Sequence, residues 1–378
     1  MNTPSVFDHN RVYGEFKTEK NLLLSGNHGL VDSINIEHPN IFKVFSGLKS
    51  QDWSFDEFDF SQCMQDFKRC DKSVYDAMIT TLAWQWEADS IASNNMVAIT
   101  ANFTNSTELM AAVMRANVSE VEHALTYSEI VRSSFEDPNI VIEQMTKIEQ
   151  SFARLGVVED IFNSAYKTSH QLALGVIKPD QQAYNSAFMY FVALYLLERL
   201  QFISSFAITF GVAEGTGMFI EIATAVKKIA ADEIGNGINS LNPGHAGLDM
   251  LVLENELKTT KGKLAFEQCK DKIKQAIDSV VEQEVNWSKF IFSDNKSLVG
   301  LNETLLTRWV HFNAADVYDF FGFELPFQRV VENPLPWILS YLPGANSAIQ
   351  YSPQEQNSDS YLLGGVVSDV KGSIDFEL

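Results

Sequence analysis

The most apolar region of the chain runs from Ala187 to Phe219 and is broken at its centre by the charged pair Glu198-Arg199. Neither uncharged half approaches the roughly 20 residues that a membrane span requires. The region therefore reads as the buried core helix of a large helical protein, not as a membrane segment. A carboxylate in the middle of such a helix is costly unless it is paired or bound to a cation. Whatever packs around this helix must bring compensating charge to Glu198.

A chain of 378 residues can bury a sizeable core, and 46% hydrophobic with 20% charged residues is a soluble globular composition. The formal net charge of −21 disfavours nucleic acid as a partner, because phosphates need Lys and Arg. Cys63, Cys70 and Cys269 have no C-x-x-C spacing, so neither a disulfide framework nor a zinc site is expected, and the compartment reads as reducing. Asp8, Glu15 and Glu19, with no apolar core before them, do not have the form of a signal peptide. A cytoplasmic protein follows (the host cytoplasm if the source is viral).

Apolar residues recur at helical spacing from Ser73 to about Asn102. The next helix is predicted to open with Asn105 as cap and Glu108 in a reciprocal capping position, and to run through Tyr127 to a stop before Asp137-Pro138. One helix is expected from about Asn139 to Leu172, and a long one from Pro179-Asp180 to Glu214-Gly215-Thr216-Gly217. The next is expected to end near Asn242-Pro243-Gly244, with two or three more before Gly322. Strand-like alternation is scarce, so the fold class is all-α with short connections. Residues 1–50 read as an irregular N-terminal segment, 51–343 as the helical domain, and 344–378 as a tail rich in Ser, Gly, Asp and Gln. The tail's Ile374, Phe376 and Leu378 have no local core, which favours a segment that orders on a partner over a frayed terminus.

Glu120 and His123 lie one helical turn apart and Tyr127 follows one turn later. The spacing puts them on one helix face, where the first two can share a metal. A single E-x-x-H is weak and by itself reads as a surface pair. It gains weight from Asp89 on the preceding helix, Glu198 on the apolar one and Glu233 on the helix after that. Four helices each offering a carboxylate, one adding a histidine, is the layout of ferritin-like di-iron and di-manganese carboxylate proteins. Four carboxylates also balance two divalent cations.

The stretches Glu87-Ala88-Asp89-Ser90-Ile91, Ser119-Glu120-Val121-Glu122-His123 with Tyr127, Leu197-Glu198-Arg199 and Ala231-Asp232-Glu233 occur in order and at family spacing. So do Asp294 to Leu301, Glu324-Leu325-Pro326-Phe327-Gln328, Asn333 to Trp337 and Ser360-Tyr361-Leu362. Over nearly its whole length the chain resembles the small (beta, radical-generating) subunit of class I ribonucleotide reductase. The resemblance implies a ferritin-like bundle with two divalent metal ions, iron first, with manganese or a mixed manganese/iron pair as alternatives. It assigns Asp89, Glu120, His123 and Glu233 to one metal, and Glu198 with the bridging Glu120 and Glu233 to the other. It matches Tyr127 to the tyrosine oxidised to a radical, and Phe202 and Phe206 to the apolar wall around it. Trp53 and Asp232 match the outward relay, and Tyr361, with Glu355 nearby, matches the tail tyrosine that passes the hole on. The implied partners are the large catalytic subunit, reached through the C-terminal tail, and a second copy of the chain in a homodimer. The implied activity is that of ribonucleoside-diphosphate reductase, making deoxyribonucleotides for DNA replication.

One position departs from the pattern. Where the family has its second E-x-x-H, this chain has Glu233-Ile234-Gly235-Asn236. An amide oxygen is a harder and weaker donor than imidazole nitrogen, so the second metal position is expected to be looser, with Asn236 as ligand or water anchor. A changed metal preference, a decayed site or a ferritin-like di-metal oxidase are the alternatives. No other histidine is evident as a replacement: His245 lies beyond Pro243-Gly244, and the sequence does not place the helix of His170 against the site.

Overall fold

Buried apolar positions at spacings of three and four residues build the whole architecture. The computed structural model describes residues 22–24, 31, 33–34, 36–235 and 243–342. In chain order the helices are α1 (Pro39–Ser50), α2 (Cys63–Arg69), α3 (Lys72–Thr100), α4 (Thr107–Ser134), α5 (Pro138–Met145) and α6 (Glu149–Ala173). They continue with α7 (Gln181–Thr216), α8 (Ile220–Glu233), α9 (Gly244–Glu256), α10 (Thr260–Ile291) and α11 (Glu303–Phe321). Among the described residues there is no strand, only the isolated bridges Leu23–Thr104 and Leu298–Leu301. The all-α bundle expected from the sequence is the observed fold.

Helix α7 forms the centre. It is long and apolar enough to cross a membrane, yet 94% of its most apolar window is buried inside the protein. Asp180 starts it by accepting a hydrogen bond from the Ala183 amide at 3.0 Å. Around it, α3 packs along α4 and against the second half of α7, while α8 packs against α4 and α7. In the middle of α7, Leu197–Gln201 form a π-helical turn. Such turns insert one residue into an α-helix and are frequent at functional sites. Glu198 stands on it.

Several boundaries differ from those expected. The cap of α4 is Ser106, not Asn105: its hydroxyl accepts from the Leu109 amide at 3.1 Å. Glu108 takes the Ser106 hydroxyl at 2.9 Å and the Glu37 amide at 2.8 Å, so its carboxylate ties α4 to the N-terminal segment and leaves no reciprocal box. The span from Asn139 to Leu172 is split, because the Lys147 and Ile148 amides bond to the Gln144 and Met145 carbonyls and close a turn between α5 and α6. The stretch read as irregular up to residue 50 contains α1, whose Ile41, Val44 and Leu48 are buried against the bundle. The largest shift is in α8. It ends at Glu233, well before Asn242, and Gly235 turns the chain with φ +66°.

Candidate metal centre

Asp89 from α3, Glu120 and His123 from α4, Glu198 from the π turn of α7 and Glu233 from α8 all converge in the bundle core, fully buried. His123 Nδ1 lies 2.8 Å from Glu233 Oε1, 3.8 Å from Asp89 Oδ2 and 3.9 Å from Glu120 Oε2. A residue not assigned from the sequence completes the cluster. His245, the second residue of α9 and 2% exposed, places Nδ1 2.8 Å from Glu120 Oε1 and 2.9 Å from Glu233 Oε2. The ligand atoms sort into two overlapping groups: Asp89, Glu120, His123 and Glu233, and Glu120, Glu198, Glu233 and His245, each within 4.8 Å of one another. Glu120 and Glu233 belong to both, and each turns one oxygen toward each histidine. That is how a carboxylate bridges two cations.

The residues fit such a pair of ions on their own geometry. None of the carboxylate oxygens of Asp89, Glu120, Glu198 and Glu233 makes a hydrogen bond, nor does Nδ1 of either histidine. Buried acceptors without donors are expensive, and two divalent cations satisfy all of them at once. The electrostatics agree. Burial pushes the carboxyls of Asp89, Glu120 and Glu198 up, with the neighbouring carboxylates adding to it. Burial acts the same way on Glu233, but the imidazoles of His245 and His123 outweigh it and hold that carboxyl below the usual range. In return Glu233 and Glu120 push His245 up to about 10 against the effect of burial, and His123 likewise rises.

The surroundings orient the ligands. Asp232 Oδ2 faces His123 Nε2 at 3.2 Å, so the proton of that ring belongs on Nε2 and the Nδ1 lone pair points into the cluster. The same oxygen accepts the Trp53 indole N–H at 2.7 Å. The Trp53 and His123 rings stack at 5.8 Å with 15° between their planes. Trp53 is fixed by its own segment: the Phe55 amide bonds Glu122 at 3.0 Å, and Asp52 pairs with Arg115. Tyr127, one turn beyond His123, is fully buried and its hydroxyl has no hydrogen-bond partner. Burial raises its pKa well above the ordinary value, and the charges of Asp89, Glu233 and Glu120 raise it further. Phe202 and Phe206 are buried on α7 with rings stacked at 5.6 Å, and Trp84 stands edge-on to Phe202 at 4.9 Å.

The structure thus brings together Asp89, Glu120, His123, Glu198 and Glu233, with Trp53, Asp232 and Tyr127 around them. Asn236, Glu355 and Tyr361 lie outside the described residues. His245 was hidden because α8 was read as running through position 236. A signal was present nonetheless: His245 shares one helix face with the buried Leu248, Asp249, Val252 and Leu253.

The family model for the ribonucleotide reductase small chain matches residues 31–334. The ribonucleoside-diphosphate reductase subunit beta of Buchnera aphidicola (subspecies Schizaphis graminum) is 26% identical over 375 residues, covering 95% of this chain and 97% of that one. The corresponding subunit 1 beta of Escherichia coli O157:H7 is 25% identical over 334 residues, covering 84% and 85%. Among solved structures, the fold is similar to the ribonucleotide reductase R2 subunit from Clostridium botulinum, with a TM-score of 0.74 at 18% identity over 90% of this chain and 98% of that one. It is also similar to dimanganese(II)-NrdF of Streptococcus sanguinis, with a TM-score of 0.61 at 14% identity over 82% and 99%. With the family match spanning most of its length, the chain belongs to the ribonucleotide reductase small-chain family.

Proposed function

We propose that the chain is the radical-generating subunit of a class I ribonucleoside-diphosphate reductase, which stores an oxidising equivalent on Tyr127 and lends it to a large catalytic subunit. The observation that carries this reading is the continuous contact Trp53–Asp232–His123, which joins the buried carboxylate cluster to Trp53 on the segment between α1 and α2. A metal oxidase acting on its own substrate would use Asp232 to orient His123 but has no use for the extension to Trp53.

Asp89, Glu120, His123, Glu198 and Glu233 would hold two divalent ions, which would supply, with dioxygen, the one-electron oxidant for the tyrosine. Iron is the first choice, manganese or a mixed pair the alternative. Tyr127 suits the donor role because its phenol stays protonated and water is excluded from it. Its oxidation releases one electron and the hydroxyl proton, and Asp89 is foremost among the carboxylates acting on that hydroxyl. Phe202 and Phe206 add an apolar wall that lengthens the radical's life. Asp232 can hold the Trp53 and His123 protons on one oxygen while the hole moves outward.

Beyond Trp53 the route needs the large subunit, which we assign to the 344–378 tail with Tyr361, in a cytoplasmic complex. A homodimer fits α4. Its inner face carries the cluster, while Met114, Val118, Val121 and Leu125 form an exposed apolar stripe at helical spacing on its outer face. The deciding experiment is electron paramagnetic resonance of the protein loaded with Fe(II) or Mn(II) and then given dioxygen. A tyrosyl signal absent from Tyr127→Phe supports the reading, and no radical with either metal sinks it.

A further inference from the structure

Resting on the di-metal reading above, we propose that His245, and not Asn236, completes the second metal position, delivered from a separate helix by a backbone contact between Gly235 and Gly244. Helical register would bring position 236 beside Glu233 only if α8 continued, and α8 stops at Glu233. Its last turn closes through the Ile234 and Gly235 amides onto the Ala230 and Ala231 carbonyls at 3.0 and 3.1 Å. Gly235 then turns left-handed at φ +66°.

The start of α9 lies directly on this turn. A Cβ on Gly235 would come within 2.1 Å of the Pro243 carbonyl carbon and 2.2 Å of the Gly244 nitrogen. A Cβ on Gly244, itself at φ +74°, would come within 2.5 Å of the Gly235 nitrogen and 2.7 Å of the Glu233 carbonyl oxygen. Only paired glycines allow two main chains to approach so closely. The next residue is His245. Its Nδ1 faces one oxygen each of Glu120 and Glu233, at 2.8 and 2.9 Å. Two donors bound at roughly 2.1 Å to one ion with a right angle between them sit about 3 Å apart. A single proton on Nδ1 would have to be shared between those two oxygens, whereas a cation binds both and the imidazole nitrogen together. The second position therefore has imidazole after all, and the softer nitrogen donor that Asn236 would lack.

The consequence is that the two metal positions are built differently. His123 is fixed within an unbroken helix. His245 depends on a junction between two helices, so the second position can be lost without the first.

The test uses the full chain, stripped with a chelator and titrated anaerobically with Fe(II), and separately with Mn(II). Bound metal per chain is counted after gel filtration, and imidazole nitrogen couplings to Mn(II) are read by pulsed electron paramagnetic resonance. Wild type and Asn236→Ala should hold about two ions, His245→Ala about one with one imidazole coupling lost, and added imidazole should restore the second ion. Gly244→Ala should weaken the second ion by about tenfold or more while leaving the first. If Gly244→Ala does not fold, His245→Ala with imidazole rescue decides alone. Two ions at wild-type affinity in His245→Ala, or loss of one in Asn236→Ala, would overturn the proposal. Wild type that binds no metal would instead overturn the reading on which it rests.

Discussion

Asp232 accepts the indole N–H of Trp53 at 2.7 Å on the same oxygen that faces His123 Nε2 at 3.2 Å. One buried carboxylate oxygen thereby couples a nearly buried indole to a cluster histidine. A carboxylate takes both donors on that oxygen with its negative charge, whereas an amide oxygen keeps the lone pairs but loses the charge that strengthens both contacts. Asp232→Asn and Trp53→Phe should therefore still form the Tyr127 radical, while turnover with the large subunit falls about 10- to 100-fold or more. Radical yield by electron paramagnetic resonance and deoxyribonucleotide formation, measured on the same preparation, separate the two effects. Full turnover in Trp53→Phe would remove that residue from the route.

Tyr127 makes a second, opposite kind of prediction. Its hydroxyl is buried with no hydrogen-bond partner, so the fold gains nothing from it. Deleting an unsatisfied buried hydroxyl while keeping the ring is close to neutral or stabilising, by up to about 1 kcal/mol. Tyr127→Phe should keep its metal and its urea midpoint yet show no radical. A loss of several kcal/mol would mean that the hydroxyl has a structural partner.

Much of this centre could be read in the sequence because helix geometry is local. Glu120, His123 and Tyr127 lie on one face by spacing alone, and Asp89, Glu198 and Glu233 each read as a carboxylate offered by a separate helix, Glu198 from the most apolar one. Asp180 as the start of α7 was legible from the Pro179-Asp180 pair for the same reason. What escaped depends on contacts distant in sequence or on departures from ideal register. The π turn under Glu198 leaves no compositional mark in Leu197–Gln201. His245 follows Glu233 by twelve positions, so no helical period connects them. The missing link was Gly235, whose positive φ ends α8 and which reads, in the sequence, only as a weak helix residue.

Arg154 and Glu284 show how far such contacts reach. The guanidinium, fully buried between Trp84 and Trp287 at 3.8 and 4.4 Å, meets Glu284 through two nitrogens at 2.6 Å each. It also donates to Ser205 at 2.7 Å and to the carbonyl of Gln201, the last residue of the π turn. Removing one partner leaves an uncompensated buried charge, so Glu284→Ala should cost about 3–5 kcal/mol in urea denaturation. The double change Arg154→Met with Glu284→Leu should cost much less. Because the clamp holds the turn that carries Glu198, the double variant should fold yet bind metal more weakly. Equal metal affinity in the double variant would detach the clamp from the site.

Glu256, at the end of α9, gives a pH signature away from the metals. Its oxygens accept from the Leu22 amide at 2.8 Å and from the Tyr184 hydroxyl, fastening the N-terminal segment to the bundle. Burial pushes its carboxyl up to about 7, against an ordinary value of 4.5. Between those two values the folded chain holds a proton that the unfolded chain has lost. Stability from this group therefore falls as pH rises from 4.5 to about 7 and is flat above that. The full loss is at most about 3.5 kcal/mol, since each pKa unit is worth about 1.4 kcal/mol. Glu256→Gln keeps an acceptor for Leu22 and an amide donor for the Tyr184 oxygen, but cannot titrate. Urea denaturation at pH 5, 6, 7 and 8 should show the variant gaining on wild type as pH rises, levelling off above pH 7. A wild-type-to-variant difference that does not change with pH would show that Glu256 is ionised throughout, with its charge carried by the Leu22 and Tyr184 contacts.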